Sequence, residues 1–234
     1  NLTISRLSKV IDASTSSIAG EQGILTGSSD LLPIQQRYLE TIYDVSAHYN
    51  QSLLLEIDKS VNESYLQNAV KALVNQHDAL RFVYQQNDEG KWNQFYGHVE
   101  GTVEVVDLSE ISSEELTTSI TEVCNTYHNS LSIEQGEVFK TVLIKTPSSE
   151  IRNRLFIVAD HLVIDGVSWR IISDDLQTIL DALLNTKELS LSPKSSSYRQ
   201  WATAMNAYST SIAVTDQQSY WTAIASSYSE IPTD

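Results

Sequence analysis

The arrangement of side chains best suited to chemistry is the segment Leu155-Phe-Ile-Val-Ala-Asp160-His161-Leu-Val-Ile-Asp165-Gly166-Val-Ser168-Trp169-Arg170. An apolar run delivers His161, the chain turns through Asp165-Gly166, and an amphipathic stretch starts at once. Histidine suits proton transfer there, because its ordinary pKa near 6.5 lets it take and return a proton at neutral pH. Asp165 is placed to fix the loop by pairing with a cation, and Arg81 and Arg170 are the candidates of suitable type. Gly166 would permit a close backbone approach or a positive φ before the following helix. One His, one Asp and one Gly at short spacing recur by chance in many chains, so spacing alone does not define an activity.

Other reactive side chains are read more plainly. His77 is expected to pack locally at a helix end, and Arg81 is the better structural residue, as the ion-pair partner of Asp165. His48, His98 and His128 are isolated from one another and from cysteine, so no metal-ligand spacing is present. Cys124 is the only cysteine, which excludes an intrachain disulfide, and it falls beside an apolar helical face. Trp169, Trp201 and Trp221 read as core anchors, with Ser168 and Trp169 close enough to the histidine loop to line a channel. Asp174-Asp175 and Glu114-Glu115 read as solvated helix faces.

The chain has 234 residues, 15 basic and 30 acidic, for a net charge of −15. Such a polyanion repels nucleic acid and anionic lipid. No run approaches the ~20 apolar residues of a membrane span, and residues 1–20 lack a signal-peptide profile, which points to a cytoplasmic protein. With 41% apolar residues and only 8 Gly and 4 Pro, a real core and long regular elements are expected.

The elements that must position His161 follow from periodicity. Pro33 opens a helix over Ile34–Val45, and Tyr49–Asp58 alternates as a strand. Asn62 caps a helix with Leu66, Val70, Leu73 and Val74 on one face. Arg81–Gln86 and Lys91–Val99 form a hairpin, and Val103–Val106 is a further strand. Ser112 or Ser113 caps a helix through Leu116, Ile120, Val123 and Tyr127. Val138–Lys145 and Arg154–Val158 are strands, the second apolar enough to be central. Trp169–Leu183 is a helix of about five turns, and two more follow near Tyr198–Tyr208 and Asp216–Ser227. Alternating strands and helices give an α/β (α+β layered) fold with one mixed sheet flanked by helices.

The His161 segment resembles the core motif His-His-x-x-x-Asp-Gly of the condensation superfamily of nonribosomal peptide synthetases. Val167-Ser-Trp-Arg-Ile-Ile172 is similar to its continuation in the epimerization branch and its near neighbours. Further matches follow in order: Glu21-Gln-Gly-Ile-Leu-Thr-Gly27, Leu32-Pro-Ile-Gln35, His48-Tyr-Asn-Gln-Ser-Leu, His77-Asp-Ala-Leu-Arg81 and Ser197-Tyr-Arg-Gln-Trp-Ala202. The resemblance implies a chloramphenicol acetyltransferase-like lobe over residues 21–230. Residues 1–20 would be a linker and the end of a preceding carrier domain, and 231–234 the start of the connection to a C-terminal lobe.

In the epimerization branch, the resemblance implies, a carrier-bound aminoacyl or peptidyl thioester loses its α-proton to one group and regains one from another. His161 is carried over as one of these groups, and the second lobe supplies a glutamate. The alternatives are a condensation domain, in which His161 would orient or deprotonate the attacking amine, and a catalytically silent relative acting as a recruitment module. Implied partners are a peptidyl carrier domain, the C-terminal lobe and adjacent synthetase modules. No directly bound cofactor or metal is implied, only the carrier's phosphopantetheine arm as substrate carrier. Asp160 stands where the family has its first histidine, which leaves a natural variant, a degenerate domain or an engineered substitution open. Alternation along a strand would turn it into the lobe, where an unpaired carboxylate is costly and its pKa rises.

Overall fold

The protein is described by a computed structural model covering residues 20–41, 49–98 and 100–227. The expected stripe at 2–11 and most of the linker after it, the end of the first helix beyond residue 41, His48 and the connection at 231–234 lie outside the described residues. The order is β1 (Gly27–Ser29), α1 (Pro33–Thr41), β2 (Asn50–Asp58), α2 (Glu63–Gln76), a 3-10 turn (Asp78–Arg81), β3 (Phe82–Gln86) and β4 (Trp92–Tyr96). It continues with β5 (Val103–Asp107), α3 (Leu116–His128), β6 (Phe139–Lys145), β7 (Arg152–Asp160), α4 (Gly166–Leu184), α5 (Tyr198–Ser209), α6 (Ile212–Thr215) and α7 (Gln218–Ser226).

The layered class and the mixed sheet hold, but the strands divide into two sheets where one was expected. Four strands pair in the order β2-β7-β6-β5, with β5 and β6 parallel and the other pairs antiparallel. The hairpin β3-β4 instead takes β1 as its third strand, in the order β1-β4-β3. Hairpin periodicity specifies the pairing of β3 with β4 but carries no information on which outer strand the pair accepts.

β7 is central and buried on both faces, which explains its nearly continuous apolar run. Leu155, Ile157 and Ala159 face one cluster, shared with Leu66, Val70, Leu73 and Val74 of α2 and Ile172, Leu176 and Ile179 of α4. Phe156 and Val158 face another, closed by Leu116 and by the partly buried Ile120, Val123 and Tyr127 of α3. The sheet is thus sandwiched between two helical layers, and the end of β7 is held from both sides.

Local chemistry sets the helix starts. The Asn62 Oδ1 accepts from the Tyr65 backbone N–H at 2.9 Å, as its cap role predicts. Ser197 and Gln200 form a reciprocal capping box on α5. In α3 the Ser112 hydroxyl donates to the Glu115 carboxylate, and the cap position falls on Glu115 with no side-chain cap bond. Cys124 is half-buried in the α3 cluster, and burial raises its thiol pKa.

Trp169 is a core residue, but Trp201 and Trp221 are more than half exposed, contrary to the expectation of core anchors. Helical spacing marks an apolar stripe on each of their two helices without saying whether any element covers it. Within the described residues α7 buries no residue.

Candidate active site

The backbone ladder between β2 and β7 places His161. Gln51 pairs with Ala159, and the His161 N–H donates to the Tyr49 carbonyl at 2.8 Å, so the ladder continues one step past the strand. Side chains two residues apart share a strand face, so Gln51 reaches His161 diagonally. The His161 ring stacks on Tyr49 at 4.7 Å between centroids, and Tyr49 stacks on Tyr38 at 4.4 Å.

Both ring nitrogens of His161 are engaged. Nδ1 lies 2.7 Å from the Ile164 carbonyl, which can only accept, so Nδ1 carries the proton. Nε2 lies 2.9 Å from Gln51 Nε2, and Gln51 Oε1 accepts from the Trp169 indole N–H at 2.9 Å. Because an indole N–H only donates, it fixes which end of the Gln51 amide faces the imidazole. The amide NH2 therefore donates to the Nε2 lone pair.

His161 opens on a cavity of about 400 Å³. Tyr38, Tyr49, Val163, Ile164 and Tyr198 give it apolar walls, with Ser168 at the start of α4 as a polar contributor. Burial raises the Tyr198 phenol pKa, so that side chain stays protonated at neutral pH.

Several expected contacts take other forms. Asp165 does not pair with Arg81 or Arg170; its Oδ1 accepts from the Ser168 backbone N–H at 2.7 Å and the Ser168 hydroxyl at 2.6 Å, capping α4. These two donors hold its carboxyl below the usual aspartate range. Arg81 is buried under the 3-10 turn, where its guanidinium pairs with Asp78 and donates to the Leu25 and Gly97 carbonyls at 3.2 and 3.1 Å. A carboxylate three residues away pairs with the Arg81 charge locally, although its buried Nε has no partner, and a helix-cap position satisfied Asp165. Gly166 has no positive φ, and a Cβ there would meet nothing within 4 Å, so neither steric reason applies within this chain.

Ser168 lines the cavity; Trp169 does not and instead donates its indole N–H to Gln51. Asp160, outside the lining, is buried, and its Oδ1 accepts from the Leu162 N–H at 2.8 Å. Desolvation lifts its pKa to about 6, against the lowering effects of that bond and of His161. His77 does more than pack: its Nε2 lies 2.8 Å from Asp175, tying α2's end to α4 and drawing Asp175 from the solvated face. Asp174, Glu114 and Glu115 are exposed, as expected. His98 is exposed, while His128 Nε2 lies 2.9 Å from the Ser52 hydroxyl. Among the described residues no group of His, Cys, Asp or Glu is placed to hold a metal ion, and no helix is long and apolar enough to cross a membrane.

Gln51, Tyr49 and Tyr38 were not singled out by residue type. Tyr49 and Gln51 lie inside the segment beginning at His48, but their meeting with His161 depends on the β2-β7 register. Residues distant in sequence also meet: Arg199 pairs with Glu21 at 2.6 Å, and the Ser197 hydroxyl donates to the same carboxylate.

The Condensation domain family profile matches residues 26–234, and the chain belongs to that family. Chondramide synthase cmdD of Chondromyces crocatus is 37% identical over 206 residues, covering 88% of this chain and 5% of that protein. Surfactin synthase subunit 2 of Bacillus subtilis (strain 168) is 31% identical over 236 residues, covering 99% of this chain and 6% of the relative. Among solved structures, the epimerization domain from the third module of tyrocidine synthetase B superposes with a TM-score of 0.81 at 27% identity, over 91% of this chain and 48% of that chain. The starter condensation domain of rhizomide synthetase is similar in fold, with a TM-score of 0.74 at 18% identity over 87% of this chain and 49% of that chain. The fold is the chloramphenicol acetyltransferase-like one of these domains, and the chain spans a small part of the curated relatives and about half of these solved chains.

Proposed function

We propose that the chain is the first lobe of an epimerization domain, inverting the α-carbon of an aminoacyl or peptidyl thioester borne on a carrier domain. The observation that carries this reading is the 0.81 TM-score and 27% identity with an epimerization domain, against 18% identity with the starter condensation domain. Val167-Ser-Trp-Arg-Ile-Ile172 points the same way.

A thioester acidifies the adjacent α-carbon, so one side chain can remove that proton while another returns one to the opposite face. His161 is the base or acid contributed here, through Nε2, since Nδ1 is committed to the Ile164 carbonyl. The Tyr49 stack and the β2-β7 ladder hold the ring against the apolar walls of the cavity. The second group, a glutamate, belongs to a C-terminal lobe, with a peptidyl carrier domain and neighbouring modules as partners.

A condensation reading retains His161 and the fold but assigns it the acceptor amine. A third reading, a silent recruitment module, draws on Asp160. The two-lobed domain, given an α-deuterated thioester on its carrier, separates them: epimerization releases deuterium to solvent, condensation forms an amide without release, and a silent module does neither.

A further inference from the structure

We infer that Gln51 is a positioning residue that reserves Nε2 of His161 as a proton acceptor, with Trp169 as its anchor. The inference rests on the reading of His161 as a proton-transfer group and deepens it. Two independent constraints agree on one tautomer. The Ile164 carbonyl at 2.7 Å demands a proton on Nδ1, and the Gln51 amide at 2.9 Å demands a lone pair on Nε2. The second demand would not be secure if the amide could rotate by half a turn. The buried Trp169 indole, donating to Oε1 at 2.9 Å, prevents that rotation, because the reversed amide would set N–H against N–H.

The arrangement also says what the amide does during turnover. Gln51 occupies the Nε2 lone pair in the absence of substrate and must give way when a C–H bond is presented there. An amide hydrogen bond to a neutral acceptor is exchanged at modest net cost, so the device holds the ring without blocking it. After the proton arrives, Nε2–H faces the amide NH2 with no acceptor. That mismatch favours handing the proton onward.

The isosteric change Gln51→Glu tests this directly. The carboxylate still accepts from Trp169 but presents an oxygen to Nε2, which demands a second ring proton. In the 234-residue chain, nitrogen NMR of histidine-labelled protein, assigned with His161→Gln, is expected to show wild-type His161 as the Nδ1–H tautomer. Gln51→Glu is expected to show both nitrogens protonated at neutral pH, and Trp169→Phe a partly protonated Nε2, since the freed amide can turn its oxygen to the ring while Ile164 keeps Nδ1 protonated. In the two-lobed domain Gln51→Glu is expected to lower kcat for deuterium release by about 100-fold with KM within about twofold. A wild-type Nε2–H tautomer, or an unchanged ring in both variants, overturns the inference. The ring signals need no turnover. An Nδ1–H tautomer with undiminished release in the two-lobed His161→Ala protein would therefore refute the base and leave the Gln51 arrangement standing.

Discussion

The carboxylate of Asp160 and the backbone N–H of Leu162 form a 2.8 Å hydrogen bond that turns the chain out of β7, outside the lining of the cavity. That bond is too little to offset burial, and the group titrates near 6, well above the 3.8 of a free aspartate. The folded state therefore binds a proton more tightly than the unfolded one. Asp160 costs stability progressively as pH rises from about 4 to 6, and the cost stays constant above that. A shift of this size corresponds to about 3 kcal/mol at neutral pH. Asp160→Asn keeps the acceptor for Leu162 and removes the charge. Its thermal stability relative to wild type is expected to be greater at pH 7.5 than at pH 4; an advantage equal at both values would show that the carboxylate is not desolvated.

Arg81 is held by groups close to it in the fold, with its guanidinium 2% exposed against Asp78 and two carbonyls. Arg81→Ala leaves the Leu25 and Gly97 carbonyls without their donor, while Asp78 keeps Lys194 at 2.8 Å, and is expected to lose about 2–4 kcal/mol in urea unfolding. Arg81→Lys keeps the charge but not the planar fork, so it should fall between the two. A full-strength lysine variant would mean that the carbonyl contacts contribute nothing.

Asp165 acts on α4 as a cap. Asp165→Ala is expected to cost about 1 kcal/mol, and Asp165→Ser to recover most of it. Since Ser168 lowers the Asp165 carboxyl pKa, the contribution is present above the ordinary aspartate range and is lost as pH falls below about 4. A denaturation series of the three proteins at pH 7 and pH 3 checks this; equal stability at pH 7 would remove the cap.

Gly166 begins α4 with ordinary backbone geometry and open space where a side chain would go. Gly166→Ala should leave the melting temperature unchanged or raise it, by up to about 1 kcal/mol of stability. A destabilised variant would reveal a steric requirement at the start of α4.

What the sequence displays and what it hides divides along the range of the interaction. The Asn62 cap, the hairpin strands and the apolar faces of α2 and α4 are local or periodic, so residue type and spacing reveal them. The end of β7 was legible because its double-sided burial leaves a continuous apolar run ahead of His161. The Gln51 bond to His161 was not, because the two residues lie 110 positions apart and meet only through the β2-β7 register. Asp165 and Arg81 carry complementary charge, which suggested a pair; nearer partners on each side, Ser168 and Asp78, satisfied them first. Trp201 and Trp221 show the converse limit, since periodicity marks an apolar face without showing what covers it.

In the proposed function His161 moves the α-proton of a carrier-bound thioester. The most direct measurement is release of α-deuterium from that thioester by the two-lobed domain and by its His161→Ala variant, with folding checked by circular dichroism. Release by the parent domain and its loss, by about 100-fold or more, in a folded variant is the predicted result. Undiminished release without the imidazole would show that His161 does not move the proton.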